Sequence, residues 1–209
     1  MEAVYGLQAL NVTPKLDAET EARLVEKCRR QSYEAFSQLV DAYESRVLGF
    51  VIRLVRNREE ALDITQEVFI RAYQAFNRFD GRSSLRTWLF RIAHNLCVDR
   101  ARREDRNPVR ASLDANSANT GETWDVADTR NTADQEVLDE ELHTMVRNGL
   151  ARMSDKLRTV IVLHDQEEMS YEEIASTVGI PVGTVKSRLF LARNFLQQYL
   201  KEYLEGATR

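Results

Sequence analysis

Apolar residues recur at intervals of three and four along most of the chain, and few stretches alternate with period two. That pattern predicts helices, with little or no sheet. A first helix is predicted from Asp17 to Arg30. Ser32 then caps a longer one whose apolar side carries Phe36, Leu39, Val40, Tyr43, Val47, Val51, Leu54 and Val55. After a polar break at Arg56–Arg58, the stretch Glu59–Phe76 turns Ala61, Ile64, Val68, Ala72 and Phe76 inward. Gly81 and the Ser83–Ser84 pair mark a loop, and Leu85, Trp88, Leu89, Ile92 and Leu96 mark the buried stripe of the next helix. The period then disappears. Residues 105–138 are rich in Asn, Ala, Thr, Ser and acids, which reads as a flexible linker whose strong apolar pair is Trp124 and Val126. Periodicity resumes with Val137, Leu138, Leu142, Met145, Val146 and Leu150, and again after Ser154 with Leu157, Val160, Ile161 and Leu163. The expected fold class is therefore all-α, with two small helical domains. The expected boundaries are a loose tail at 1–16, a first domain at 17–104, the linker at 105–138, a second domain at 139–204 and a tail at 205–209.

The second domain contains the most specific local pattern. Ser170 with Glu173 three residues later forms a capping box, which starts a helix at Tyr171. Ile174, Ala175 and Val178 face inward, Gly179 suits a left-handed C-terminal cap, and Pro181 suits the first position of a new helix. This order is that of a helix-turn-helix, the arrangement that puts a second helix into the DNA major groove. On that second helix Val185, Leu189, Ala192 and Leu196 share the buried stripe. Gly183, Ser187, Phe190, Leu191 and Asn194 lie opposite it, with Lys186 and Thr184 on the shoulders and Arg188 and Arg193 to the sides. Lys186 and Ser187 suit polar base edges, Phe190 suits thymine methyls, and the two arginines suit phosphates. The plainer alternative is a solvated helix with Phe190 packed on a neighbour.

Two surfaces of the first domain also stand out. The Trp88 helix and the loop before it present Arg82, Ser83, Ser84, Arg86, Arg91, His94, Asn95 and Arg102. Thr87 is placed on the same outward face, and Asp99 is the one acid between Gly81 and Arg103. Such a basic face with Asn and His among the arginines suits phosphates and base edges together, and the loop's amides and hydroxyls could hold an unstacked base. Trp88 reads as core and His94 as a polar surface contact. The preceding helix carries Asp63, Gln66, Glu67 and Phe69, with Ile70 nearby. This is either a patch for a partner offering basic groups and an apolar slot, or an ordinary amphipathic helix with Phe69 buried.

Composition narrows the classes. With 8 Gly, 3 Pro and 30% charged residues the chain reads as soluble and helical. A formal net charge of −4 argues against indiscriminate coating of nucleic acid, so a DNA reader must segregate its charge. From Val182 to Lys201 there is no acidic residue. Without a membrane-length apolar run or a signal-peptide layout at the start, the expected location is the cytoplasm, with no membrane insertion. Cys28 and Cys97 read as small apolar packing groups, with a redox-sensing thiol as the alternative. No cofactor or metal is expected. His94, His143 and His164 stand apart, with no phosphate loop or nucleophile elbow, so catalysis is not expected either. A stand-alone helix-turn-helix regulator remains the alternative function, although no heptad run supplies a dimer interface.

The runs DITQEVFIRAYQAF, GRSSLRTWLFRIAHNLCVDRARR and SYEEIASTVGIPVGTVKSRLFLAR, in that order, resemble the extracytoplasmic-function sigma factors of bacterial RNA polymerase. The resemblance spans Asp17 to Tyr203 apart from the linker. It implies that the first domain is sigma region two and the second is region four. Asp63, Gln66, Glu67 and Phe69 would then dock on the beta-prime clamp helices of core RNA polymerase. The loop Asp80–Leu85 and the following helix would read and open the minus-10 promoter element, flipping a non-template base into the loop. Thr184, Lys186, Ser187, Arg188, Phe190 and Arg193 would meet the minus-35 major groove while the same domain touches the beta flap. An anti-sigma factor is an expected further partner. Lys186 and Leu191 stand where relatives often carry arginine, Asp80 and Leu85 depart from an often basic or aromatic loop, and Arg30–Gln31 replaces a common Gly-Asp pair.

Overall fold

A computed structural model describes residues 16–105 and 133–207, with no strand among them. Nearly all of the expected tail, and most of the expected linker with Trp124 and Val126, lie outside the described residues. The chain divides into two compact units.

In the first unit, α1 (Ala18–Arg29), α2 (Tyr33–Val55), α3 (Arg58–Ala75) and α4 (Leu85–Asp105) pack with α2 against the other three. Each boundary has a local cause. Asp17 caps α1 by accepting from the Thr20 amide at 2.8 Å, Ser32 caps α2 through Ala35, and Asn57 caps α3 through Glu60. Between α1 and α2 Gln31 is left-handed at φ 60°, immediately before the Ser32 cap. Glycine adopts that left-handed conformation without the cost a side chain adds, and Ser32 then supplies the cap. Phe36, Leu39, Tyr43, Val47 and Val51 are buried as the period predicts, whereas Val40, Leu54 and Val55 are only half-buried. Phe50 and Phe90 are buried as well, meeting edge-on between α2 and α4 with ring centroids 5.3 Å apart.

At one end of this unit, aromatic rings join α2, α3 and α4. Phe36 meets Phe76, which opens a short 3-10 turn (Phe76–Arg78), and Phe76 meets both Phe79 and Trp88. Trp88 and Phe79 are 5.0 Å apart. This cluster sets where the loop into α4 begins. The buried side of α4 is Leu85, Leu89, Phe90, Ala93 and Cys97, while Ile92 and Leu96 are half-buried. Cys28 and Cys97 are buried, and desolvation pushes their thiols up to about 11 and about 12. They pack as apolar groups, since a reactive thiol needs thiolate character and access.

The second unit comprises α5 (Ala133–Arg152), α6 (Asp155–Ile161), a π turn (Val162–Gln166), the start of α7 (Tyr171–Val178) and α8 (Val182–Ala207). Helix α5 begins at Ala133, inside the segment expected as linker. Its approach to α8 is close at Gly149, where a Cβ would stand 2.7 Å from Leu196 Cδ1. Among the charged groups buried in this unit is an arginine the pattern does not show. Arg158 is fully buried and donates to the carbonyls of Leu150 at 2.8 Å and Met153 at 2.5 Å, with Asp155 Oδ1 at 3.1 Å. It thereby caps the C-terminal end of α5, sharing the Leu150 carbonyl with the Met153 amide.

Candidate nucleic-acid interface

The helix-turn-helix forms as its sequence dictates. The Ser170 amide donates to Glu173 Oε2 at 2.9 Å and the Glu173 amide donates to Ser170 Oγ at 3.1 Å, closing the capping box. Gly179 takes φ 73° after α7. The Pro181 carbonyl accepts from Thr184 at 2.9 Å and Val185 at 3.1 Å, so Pro181 stands at the cap and Val182 opens α8, one residue later than expected. Val185, Leu189, Ala192 and Leu196 are all buried. On the opposite side Lys186, Ser187, Phe190, Leu191 and Asn194 are exposed, Phe190 at 66% of its area. Thr184 and Arg188 are half-buried at the edges. The plainer reading, with Phe190 packed on a neighbour, does not hold at that exposure. Lys186 Nζ lies 5.7 Å from the centre of the Tyr171 ring, a cation–π contact that restricts where the ammonium points.

Arg193 is placed differently from the expectation of a free phosphate contact. It bonds Asp165 Oδ1 at 2.7 Å, in the π turn, and Asp165 is a buried residue. His164 Nδ1 stands 2.6 Å from the same oxygen, which places its proton on Nδ1. Burial raises the pKa of Asp165, but hydrogen bonds from His164 and Arg193 outweigh it and hold the carboxyl below its ordinary value. Arg193 thus ties α8 to the turn ahead of α7.

In the first unit, the loop between the 3-10 turn and α4 is pre-shaped. Asp80 Oδ1 accepts from the Arg82 amide at 3.0 Å, Asp80 Oδ2 pairs with Arg82 Nε at 3.0 Å, and Gly81 takes φ 75°. Ser84 Oγ accepts from the Thr87 amide at 3.1 Å and bonds the Thr87 hydroxyl at 2.8 Å. Ser84 is therefore occupied in starting α4, and Thr87 is buried rather than outward. Arg82 is extended into solvent, Ser83, Arg86 and Arg91 are half-buried, and Asn95, Arg102 and Arg103 are exposed. Arg100 pairs with Glu60 of α3, which draws it off the basic face. His94 is half-buried rather than a surface group, and desolvation lowers its pKa, so at neutral pH it is an uncharged ring.

On α3, Asp63 and Gln66 are exposed, and Glu67 pairs with Arg71 at 2.7 Å. Phe69 is not part of that surface. It is buried at 8% exposure, on the border of the arc made by Thr65, Val68 and Ala72. The apolar groups that do face out are Ile70 at 51%, Tyr73 at 44% and Leu62 at 38%. At about 100° per residue, Leu62, Tyr73, Gln66, Ile70, Asp63 and Glu67 follow one another around a continuous arc. The sequence reading missed Leu62 and Tyr73, although their spacing from Gln66 and Ile70 carries the signal.

Among the described residues no helix is long and apolar enough to cross a membrane, and no group of three or more His, Cys, Asp or Glu could hold a metal ion.

Comparison with known proteins places these surfaces in a family. Residues 39–107 match the model of Sigma-70 region 2, and residues 143–196 match that of Sigma-70 region 4. The RNA polymerase sigma-H factor of Pseudomonas aeruginosa is 34% identical over 92% of this chain and 100% of its own length. The ECF RNA polymerase sigma factor SigW of Bacillus subtilis is 37% identical over 85% of this chain and 95% of its own length. Among solved structures, the sigma factor RpoE of Bartonella quintana, crystallised with the anti-sigma factor NepR, is 26% identical. It superposes with a TM-score of 0.62 over 79% of this chain and 96% of that one. With both sigma regions matched in order and relatives aligned along nearly its whole length, the chain belongs to the extracytoplasmic-function sigma factors of bacterial RNA polymerase.

Proposed function

We propose that this chain binds core RNA polymerase in the cytoplasm and directs it to promoters by reading the minus-35 and minus-10 elements. The observation that carries the reading is the sorted surface: an acid-free helix face on one unit and a basic helix face on the other, in a chain of net charge −4. Each unit has a distinct task. The α3 arc of Leu62, Asp63, Gln66, Ile70 and Tyr73 offers carboxylate, amide and apolar groups to the clamp helices. The Asp80–Leu85 loop and α4 meet the minus-10 element, where Arg82 and Ser83 have groups available to an unstacked base and Arg91, Asn95 and Arg102 follow the strand.

Helix α8 enters the minus-35 major groove with Lys186, Ser187 and Phe190 toward base edges and Arg188 toward phosphate. Lysine acts as a point charge without the planar fork of arginine, so Lys186 tolerates more than one acceptor pattern. The same unit touches the beta flap. The sigma factor lends specificity, and the polymerase supplies the chemistry. An anti-sigma factor is proposed as a further partner, by analogy with the relative crystallised with one.

The test is run-off transcription by core polymerase across a randomised promoter library, with and without this chain. The expected result is a subset of templates defined by two separated elements. A transcript set independent of the chain, or tight sequence-specific binding by the chain alone, would favour the stand-alone regulator.

A further inference from the structure

We propose that Arg29, on α1, is a positioning residue for the loop that receives the minus-10 base; the inference rests on the role given to that loop above. Three contacts converge. Arg29 Nε donates to the Phe79 carbonyl at 3.1 Å, across 50 positions of sequence. The guanidinium carbon lies 5.8 Å from the centre of the Phe79 ring. A Cβ at Gly81 would stand 3.2 Å from Arg29 Nη2, so the guanidinium runs along the backbone from Phe79 to Gly81. Glu26 Oε2, 3.6 Å from Nη1, steadies it on its own helix.

Phe79 also meets Trp88 at 5.0 Å and Phe76 at 5.9 Å. The entry of the loop is thus held by ring packing and by a cation reaching in from α1. Beyond it, Asp80 orders Arg82 through two bonds of 3.0 Å. A loop fixed in this way meets an unstacked base without first losing conformational freedom, which is how preorganisation raises selectivity. Arg29 is not needed to attach α1. Leu24 and Cys28 are buried, and Glu21 accepts from Tyr43 of α2, while the Arg29 side chain is 36% exposed. Its removal therefore acts on the loop more than on the fold.

The experiment compares full-length wild type with Arg29→Met, Arg29→Lys and Arg29→Gln, each assembled with core polymerase. Binding is measured to fork-junction DNA carrying every base at each minus-10 position. The expected result is that Arg29→Met lowers discrimination at the captured base about three-fold or more, the loss of one ordinary, solvent-screened hydrogen bond. Minus-35 preference, core affinity and the thermal transition stay at wild-type values. Arg29→Lys, which keeps a cation over the ring, recovers most of the discrimination. Arg29→Gln, which keeps a hydrogen-bond donor without the charge, falls between. Undiminished discrimination in Arg29→Met would overturn the proposal, as would a fall in all readouts together in both Arg29→Met and Arg29→Gln. Flat base selection by the wild-type holoenzyme would remove the loop's own role, and this inference with it.

Discussion

Replacing Arg193 with methionine separates two roles for the same side chain. In the structure Arg193 pairs at 2.7 Å with a carboxylate whose side chain is 3% exposed, while its own side chain is 39% exposed. Removing one partner of a fully buried pair costs about 3–5 kcal/mol. Here solvent screens the arginine side and His164 still serves the carboxylate, so the loss is nearer that of one charged hydrogen bond, about 1.5–2.5 kcal/mol. For a domain of this size that lowers the transition of the α5–α8 unit by about 6–20 °C, read by circular dichroism or calorimetry on the full chain.

The pH dependence follows from the lowered pKa of Asp165. A carboxyl with a depressed folded pKa contributes stability that is present above its unfolded value and lost as pH falls through the folded one. The gap between wild type and Arg193→Met should therefore be full at pH 7 and should close in acid, below the ordinary carboxylate range. A phosphate contact would behave otherwise, reducing the slope of log affinity against log salt by about 0.9. An unchanged transition at pH 7, a gap that persists unchanged at pH 3, or a reduced salt slope without loss of stability would refute the assignment.

Four further substitutions test other parts of the molecule. Phe69→Ala should destabilise the first unit by about 3–4 kcal/mol, because it empties a buried ring site, whereas Ile70→Ala should leave the melt unchanged and weaken co-purification with core polymerase. Equal effects of the two on stability would contradict the outward arc drawn for α3. Lys186→Ala should reduce transcription from promoters dependent on the upstream element about five- to ten-fold, one base contact, and unchanged run-off product would place Lys186 off the groove. Gln31→Gly should stabilise the chain by about 0.5–1 kcal/mol, since the left-handed conformation costs a side-chain-bearing residue more than glycine loses in entropy; a lower melting temperature would count against strain at that turn.

What the sequence showed depended on how locally each feature is determined. The α8 core face and the Ser170–Glu173 capping box were legible because period and cap act within a few residues. Phe50 and Phe90 fell off the predicted stripes because α2 packs against three helices and α4 against both α2 and α3, which widens each buried arc beyond the single face that periodicity describes. Arg158 was not singled out by period or motif, because its partners, the Leu150 and Met153 carbonyls and Asp155, become apparent only in the fold. Phe69 was left open between surface and core because it sits at the edge of its arc, where a long ring can fold inward; its burial removes it from the docking set the resemblance implied, and the truly exposed Ile70 lies beside it. Arg193 was read as ligand-facing since its partner, Asp165, is brought to it by the fold, whereas Ser84 is held by a local cap to the Thr87 amide that the sequence reading passed over.

Permanganate reactivity of minus-10 thymines on duplex promoter DNA, with this chain alone, core polymerase alone and the two together, bears most directly on the whole account. Unpaired thymines should appear in the mixture only, and only on templates carrying both elements. Reactivity with core polymerase alone, or none in the mixture on templates the mixture binds, would contradict it.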